Sequence, residues 1–165
     1  MRKPPCFSRN RCTTVEQIDG ETLRSTCRLQ DTLTDARVEL RVKLPELEIT
    51  EARCEFNRTF LTACEDPSEA VKQVEGVRIG PGMNKIIRGK LGAATDCRQL
   101  TFLVEECCHG VILSFTRETL QQVPEDFELT SEHFQQMVRD NIRLYNRCAA
   151  FAPGSSIVEG IEPPE

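Results

Sequence analysis

Nowhere in the sequence does an apolar run approach the roughly 18 residues that a membrane-spanning helix needs. That absence excludes a helical membrane span. There is no extended Lys/Arg stripe either, and the balance is acidic, 21 Lys+Arg against 26 Asp+Glu. A nucleic-acid-binding protein, whose affinity comes largely from phosphate contacts, is therefore excluded. Gly-x-Ser-x-Gly, a Walker-type loop and His-Glu-x-x-His are all missing. The run from Gly76 to Gly82 holds three glycines but no following Gly-Lys-Ser/Thr, so it reads as a turn before a helix. No Cys-x-x-Cys occurs, which removes the zinc-ribbon, knuckle and thioredoxin-like readings. Trp is absent, Tyr occurs once and His twice. No reaction can be named from this inventory, and an enzyme is the least favoured class.

What is present describes one modest globular domain. The 165 residues are 39% hydrophobic and 28% charged, with a formal net charge of −5. That length fits a single domain of about 100–200 residues, and that charge is too ordinary for a wholly disordered chain. Arg2, Lys3, Arg9 and Arg11 sit in the first eleven residues without an acid, as at the start of a signal peptide. Pro4, Pro5, Ser8 and Asn10 interrupt the apolar stretch that would have to follow. Residues 1–11 are thus expected to form a flexible basic arm, 12–152 one domain, and 153–165 a loosely held acidic tail. Nine cysteines without an export signal are expected to be reduced thiols in a cytoplasmic protein. Their odd number forbids complete pairing within the chain.

Two periodicities organise the domain. Asp19-Gly20 separates two extended runs and is a hairpin signal, because both residues tolerate positive φ. Leu23, Ser25, Cys27 and Leu29 then alternate with Arg24, Thr26, Arg28 and Gln30. Ala36, Val38, Leu40, Val42 and Leu44 alternate with Arg37, Glu39, Arg41 and Lys43. Strict period two predicts strands with one buried and one wet face. Pro45 stops the second run. A further run through Ile49, Ala52, Cys54 and Phe56 returns, with a kink where the alternation slips. The expectation is α+β: an antiparallel meander of three to four strands from about Cys12 to Arg58, its apolar face covered by helices.

The helices announce themselves by caps. Asp66-Pro67-Ser68-Glu69 is a capping box with Pro at the first helical position, predicting a helix from Pro67 to about Glu75 that stops at Gly76. A short helix carrying Ile86, Ile87 and Leu91 should follow Gly80-Pro81-Gly82 and close at Gly92. Thr95 or Asp96 caps the next, on which Leu100, Leu103, Val104, Cys107, Val111 and Phe115 share a face. After a polar connection containing Pro124, Thr130 or Ser131 starts a last helix. Its stripe of Phe134, Met137, Val138, Ile142, Tyr145 and Cys148 is expected to pack on the helix that begins near Cys97.

The thiols divide by position. Cys27, Cys54 and Cys107 lie on apolar faces, where free Cys behaves as a small hydrophobe. Cys108-His109 is a poor chelate, since adjacent helical residues point about 100° apart. Cys6 and Cys12 lie in or beside the arm. His133 follows a cap and reads as a surface or capping residue. Cys64 and Cys97 differ, because each stands at a helix entrance, where free N–H groups and the helix dipole favour thiolate. Arg98 strengthens that effect and Asp96 opposes it. They are expected to approach one another.

From Lys90 through Leu91, Gly92, Thr95, Asp96, Cys97, Arg98 and Gln99 to Leu100, the chain resembles a bacterial family of uncharacterised proteins. It is domain-of-unknown-function family twenty-eight eighty-nine, which shows Leu-Gly-Gly and then Gly-Cys-Thr-His-Leu opening a helix. Arg28-Leu29-Gln30-Asp31 resembles its Gly-Arg-Leu-Thr-Asp element. Cys64 falls where the family has a Cys after its last strand, and Gly76-Val77-Arg78-Ile79-Gly80 resembles its Val-Gly-x-x-Ile-Gly turn. Asn146-Arg147-Cys148-Ala149-Ala150 is similar to its Asp-Arg-Cys-His-Ala. The resemblance implies a shared fold and no stated activity. Both family histidines are replaced, by Gln99 and Ala149. If the pattern is a metal site, this chain keeps Asp31, Cys64, Cys97 and Cys148, a donor set whose softness suits zinc or an iron–sulfur cluster. The alternative is a site that has decayed here. Element order and two cysteine positions are also similar to iron–sulfur cluster assembly scaffolds, although Thr34 stands where those have a Cys.

Two functional readings follow. The first is a cytoplasmic, non-enzymatic accessory protein that binds zinc or an iron–sulfur cluster through Asp31, Cys64, Cys97 and Cys148. The second is a metal-free interaction or regulatory module, with an unidentified protein partner or a second copy as a homodimer, whose cysteines are only core. An enzyme with Cys97 as nucleophile ranks last. Its nearest candidate base, His109, lies more than three turns along the same helix.

Overall fold

The computed structural model describes residues 7–59, 66–121 and 130–164. Cys6, Cys64 and the connection around Pro124 lie outside them.

Four antiparallel strands follow one another in space as in sequence: β1 (Arg9–Gln17), β2 (Thr22–Asp31), β3 (Asp35–Lys43) and β4 (Glu48–Arg58). The alternation sets which side is buried. Val38, Leu40 and Val42 are completely buried, as are Ser25 and Cys27, while Arg37, Arg41 and Lys43 are exposed. Every second residue of β2 and β3 therefore lies inside, as period two requires. The slip expected in β4 is a pair of register shifts against β3, at Asp35/Ala36 and Arg41/Val42. The arm is shorter than the sequence implied. Arg9 to Arg11 already lie in register with Asp31 to Leu29 as the first residues of β1.

Helices cover the buried face. Asp66 accepts a hydrogen bond from the N–H of Glu69 and starts α1 (Pro67–Val71), which tightens into one 3-10 turn over Lys72–Val74. The chain leaves it through Gly76 at φ 80°, a left-handed conformation that glycine adopts without strain. α2 (Met83–Ala94) buries Ile87 and Leu91 and exposes Ile86. It runs past Gly92, which the sequence reading placed at its end.

α3 (Arg98–Gln121) buries Leu100, Leu103, Val104, Cys107 and Val111 completely. It lies close on the sheet. The Ser25 hydroxyl donates to the Cys107 carbonyl at 2.8 Å, the Cys107 thiol donates to the Val38 carbonyl at 3.7 Å, and Gly110 faces β1. A Cβ at Gly110 would stand 2.9 Å from Thr13 Cγ2 and 3.2 Å from Val15 Cγ2. This glycine is thus required by proximity, not by its φ.

Contacts divide the chain into two compact units. One comprises residues up to Ile79 together with Met83–Val111, and the other Gly80–Gly82 with the residues from Ile112 onward. Within the second, Thr130 begins α4 (Ser131–Asp140), and its N–H donates to His133 Nδ1 at 3.2 Å. His133 is therefore a capping residue, as its position suggested. Met137 and Val138 are buried. The stripe does not continue as helix to Cys148. Asn141 leaves helical geometry at φ −134°, and two 3-10 turns follow, Ile142–Leu144 and Ala149–Phe151. Ile142 and Tyr145 are consequently only half-buried, Leu144 takes the buried place, and Phe134, within α4, is half-buried too.

Candidate functional site

Asp31 ends β2 and, among the described residues, is buried as only one other polar residue is, at 6% exposed. Both of its oxygens are already in use. Oδ1 accepts the N–H groups of Leu33 and Thr34 at 2.8 and 2.7 Å, and Oδ2 accepts Nε and Nη2 of Arg9 at 3.0 and 2.8 Å. Its carbonyl accepts from Arg58 at 2.6 Å. Burial raises the carboxyl pKa, but the Leu33 N–H, the Arg9 guanidinium and the Thr34 N–H outweigh it, and the net shift is downward. The arrangement closes the β2–β3 turn and fastens the first residue of β1. Arg9 is the partner that sequence reasoning missed. It looked like part of an unattached arm, and only strand register brings residues 9 and 31 together.

Cys97 stands at the entrance of α3. Its carbonyl accepts from Leu100 and Thr101, while its N–H donates to the Thr95 hydroxyl at 3.2 Å. Its sulfur is not a thiol, because Cys97 is disulfide-bonded. This corrects the expectation that all the cysteines are reduced. The partner sulfur lies outside the described residues, as does Cys64, so the expected approach of Cys64 to Cys97 concerns residues not described. A cleft of about 400 Å³ opens beside this entrance, between α2 and α3, where Arg88 forms a two-point ion pair with Glu105 and Phe102 supplies an apolar wall.

Cys148 is exposed, precedes the 3-10 turn at Ala149, and belongs to the second unit. The other thiols follow their faces. Cys27, Cys54, Cys107 and Cys108 are buried and Cys12 is exposed on the outer side of β1. Desolvation raises the Cys27 thiol, lifts Cys54 to about 11 and lifts Cys107 well above the ordinary range. These groups stay protonated at neutral pH and serve as core. Among the described residues, no group of three or more His, Cys, Asp or Glu is placed to hold a metal ion. No helix among them is long and apolar enough to cross a membrane.

A four-strand antiparallel meander with helices on its buried face is an α+β protein. Its family follows from the sequence of that sheet and of the helices that cover it. The chain belongs to the family described as Protein of unknown function (DUF2889), whose model matches residues 12–111. The match ends where the first compact unit ends, at Val111. The correspondence drawn at Cys148 lies outside it. No curated protein and no solved structure matches the chain, so the similarity to iron–sulfur assembly scaffolds gains no support.

Proposed function

We propose that this protein is a metal-free interaction module acting through its surfaces. The engagement of the candidate ligands within the chain itself carries this reading. Both Asp31 oxygens hold hydrogen bonds, and the Cys97 sulfur is spent in a disulfide. A metal would have to displace the half-exposed Arg9 guanidinium from the buried Asp31 carboxylate and break two turn hydrogen bonds, leaving the Leu33 and Thr34 donors unsatisfied. Elemental analysis and a visible spectrum of protein purified without oxygen test it. The expected result is a folded, colourless chain with no stoichiometric metal. One equivalent of zinc or iron per chain overturns it.

A second reading keeps Asp31, Cys64, Cys97 and Cys148 as ligands of zinc or an iron–sulfur cluster. One observation favours it, since a disulfide places another sulfur against Cys97. A phosphine reductant would convert the pair into two neighbouring thiols at a helix entrance, where thiolate is favoured. Zinc titration of the reduced chain, compared with Cys97→Ser, decides the matter. Stoichiometric uptake that the substitution abolishes supports the second reading, and equal weak uptake supports the first. A cytoplasmic setting belongs to the same proposal. Cytosol keeps thiols reduced, so differential alkylation of Cys97 in cells reports the compartment.

A further inference from the structure

We infer that β1 is the docking edge for a second copy of this chain, paired antiparallel about a two-fold axis at Thr13 into one eight-stranded sheet. The inference deepens the interaction-module reading and rests on it.

The backbone supplies the first argument. The Ile18 N–H donates to the Thr22 carbonyl, which makes those two a hydrogen-bonded pair. Such pairs alternate along an antiparallel ladder, so the even-numbered residues of β1 spend their groups on β2. The N–H and C=O groups of Arg9, Arg11, Thr13, Val15 and Gln17 point away from the sheet. Among the described residues, none of them has a hydrogen-bond partner. The opposite edge is treated differently. Ile49 pairs with Val77 and Gly76, Leu47 accepts from Ile79, and the Ala52 N–H donates to the Glu75 carboxylate. Solvent-exposed edges are normally guarded by Pro, charged side chains, bulges or shortness, and the two arginines of β1 are instead held by Asp31 and Glu106. β1 has nine residues in unbroken register with β2, with no Pro, Lys or Gly.

The side chains supply the second argument, since they hold this edge straight from one side. Arg9 is fastened by Asp31, Arg11 lies over the Phe102 ring and beside Glu106, and Thr13 and Val15 rest on Gly110. A strand already ordered loses little freedom on pairing.

Charge selects the occupant and the register. β1 is basic at its start, with Arg9 and Arg11, and acidic near its end, with Glu16. Parallel pairing of two copies would oppose arginine to arginine. Antiparallel pairing lays the basic end of one copy beside the acidic end of the other. Centred on Thr13, it uses all nine residues, setting Arg9 opposite Gln17, Asn10 opposite Glu16 and Arg11 opposite Val15. No like charges meet. The outermost strands become the two β4 strands, whose first halves are already bonded to Gly76, Val77 and the Glu75 carboxylate, so the association closes at two copies.

Light scattering and sedimentation velocity of the full chain, from low to high micromolar concentration, test this. The expected mass rises from 18.7 kDa toward twice that value. Gln17→Lys sets a lysine opposite Arg9 twice in the dimer and should raise its dissociation constant about tenfold. Gln17→Glu should lower it by a similar factor. Thr13→Pro removes a donor that β2 does not use and should abolish the dimer. The two Gln17 variants keep the test valid if Thr13→Pro does not fold. A wild-type chain that stays monomeric, or a dimer indifferent to both Gln17 variants, overturns the proposal. Metal content on the same samples separates the two readings: a metal-free monomer sinks only the dimer, while a metal-loaded one sinks the module reading as well.

Discussion

The two edges of one sheet are finished in opposite ways. Along the first half of β4, the chain returns after α1 and spends Gly76, Val77 and the Glu75 carboxylate on the strand's outward groups. Along β1 the helix-facing side chains are held, while the backbone groups of the same alternate residues face outward without partners among the described residues. Both edges belong to the same compact unit. The difference therefore does not come from general exposure. It comes from where the chain happens to return, and it teaches that an edge can be rigid without being closed.

Four measurements sharpen or break this contrast, in descending order of effect. The largest lies at the closed edge. Ile49→Ala removes a fully buried side chain where β4 meets Val77, and should cost about 2–5 kcal/mol in denaturant unfolding. A loss much below that range would mean the closing segment is loosely held. Gly110→Ala comes next. Its methyl would press on Thr13 and Val15 behind the bare edge, and a cost of about 1–3 kcal/mol is expected. A neutral result would show that β1 yields easily and is not the rigid edge described above.

Glu75→Ala strips the acceptor from the Ala52 N–H, which should cost about 0.5–1.5 kcal/mol. Amide exchange at Ala52 should then accelerate toward the rates expected at Thr13 and Val15 in the monomer. Unchanged exchange would refute a closing role for the carboxylate. The fourth test concerns pH and the fastening of β1. The folded pKa of Asp31 lies below its ordinary value, so its contribution is present above the ordinary carboxylate range. It fades as pH falls through the lowered folded value. Asp31→Asn should therefore melt at a lower temperature than wild type near neutrality and converge with it in acid. A difference that persists in acid would mean that packing, not charge, joins Arg9 to the turn.

Much of the fold was legible because both periodicities are local. Val38, Leu40 and Val42 bury together because alternate side chains of a strand point the same way. Leu100, Leu103, Val104, Cys107 and Val111 do so because a helix returns to one face every three or four residues. The cap at Asp66 is equally local, since its carboxylate oxygen reaches only three residues ahead. The end of α4 was missed because Ile142 and Tyr145 keep helical spacing although Asn141 has already left helical geometry.

The candidate site was legible only as residue types. Cys27, Cys54 and Cys107 could be assigned to the core from the faces they share. Cys97 could be placed at a helix entrance, but that position does not reveal that its sulfur is disulfide-bonded. The sequence by itself determined a meander of three to four strands, the buried faces of β2 and β3, and the starts of the helices, because propensity, capping and period act over a few residues. Tertiary structure alone decided that Arg9 neutralises Asp31, that Gly110 admits β1, and that one sheet edge is closed while the other stands open. Each of those depends on which distant segments meet, and meeting is set by the balance of burial and chain entropy over the whole unit.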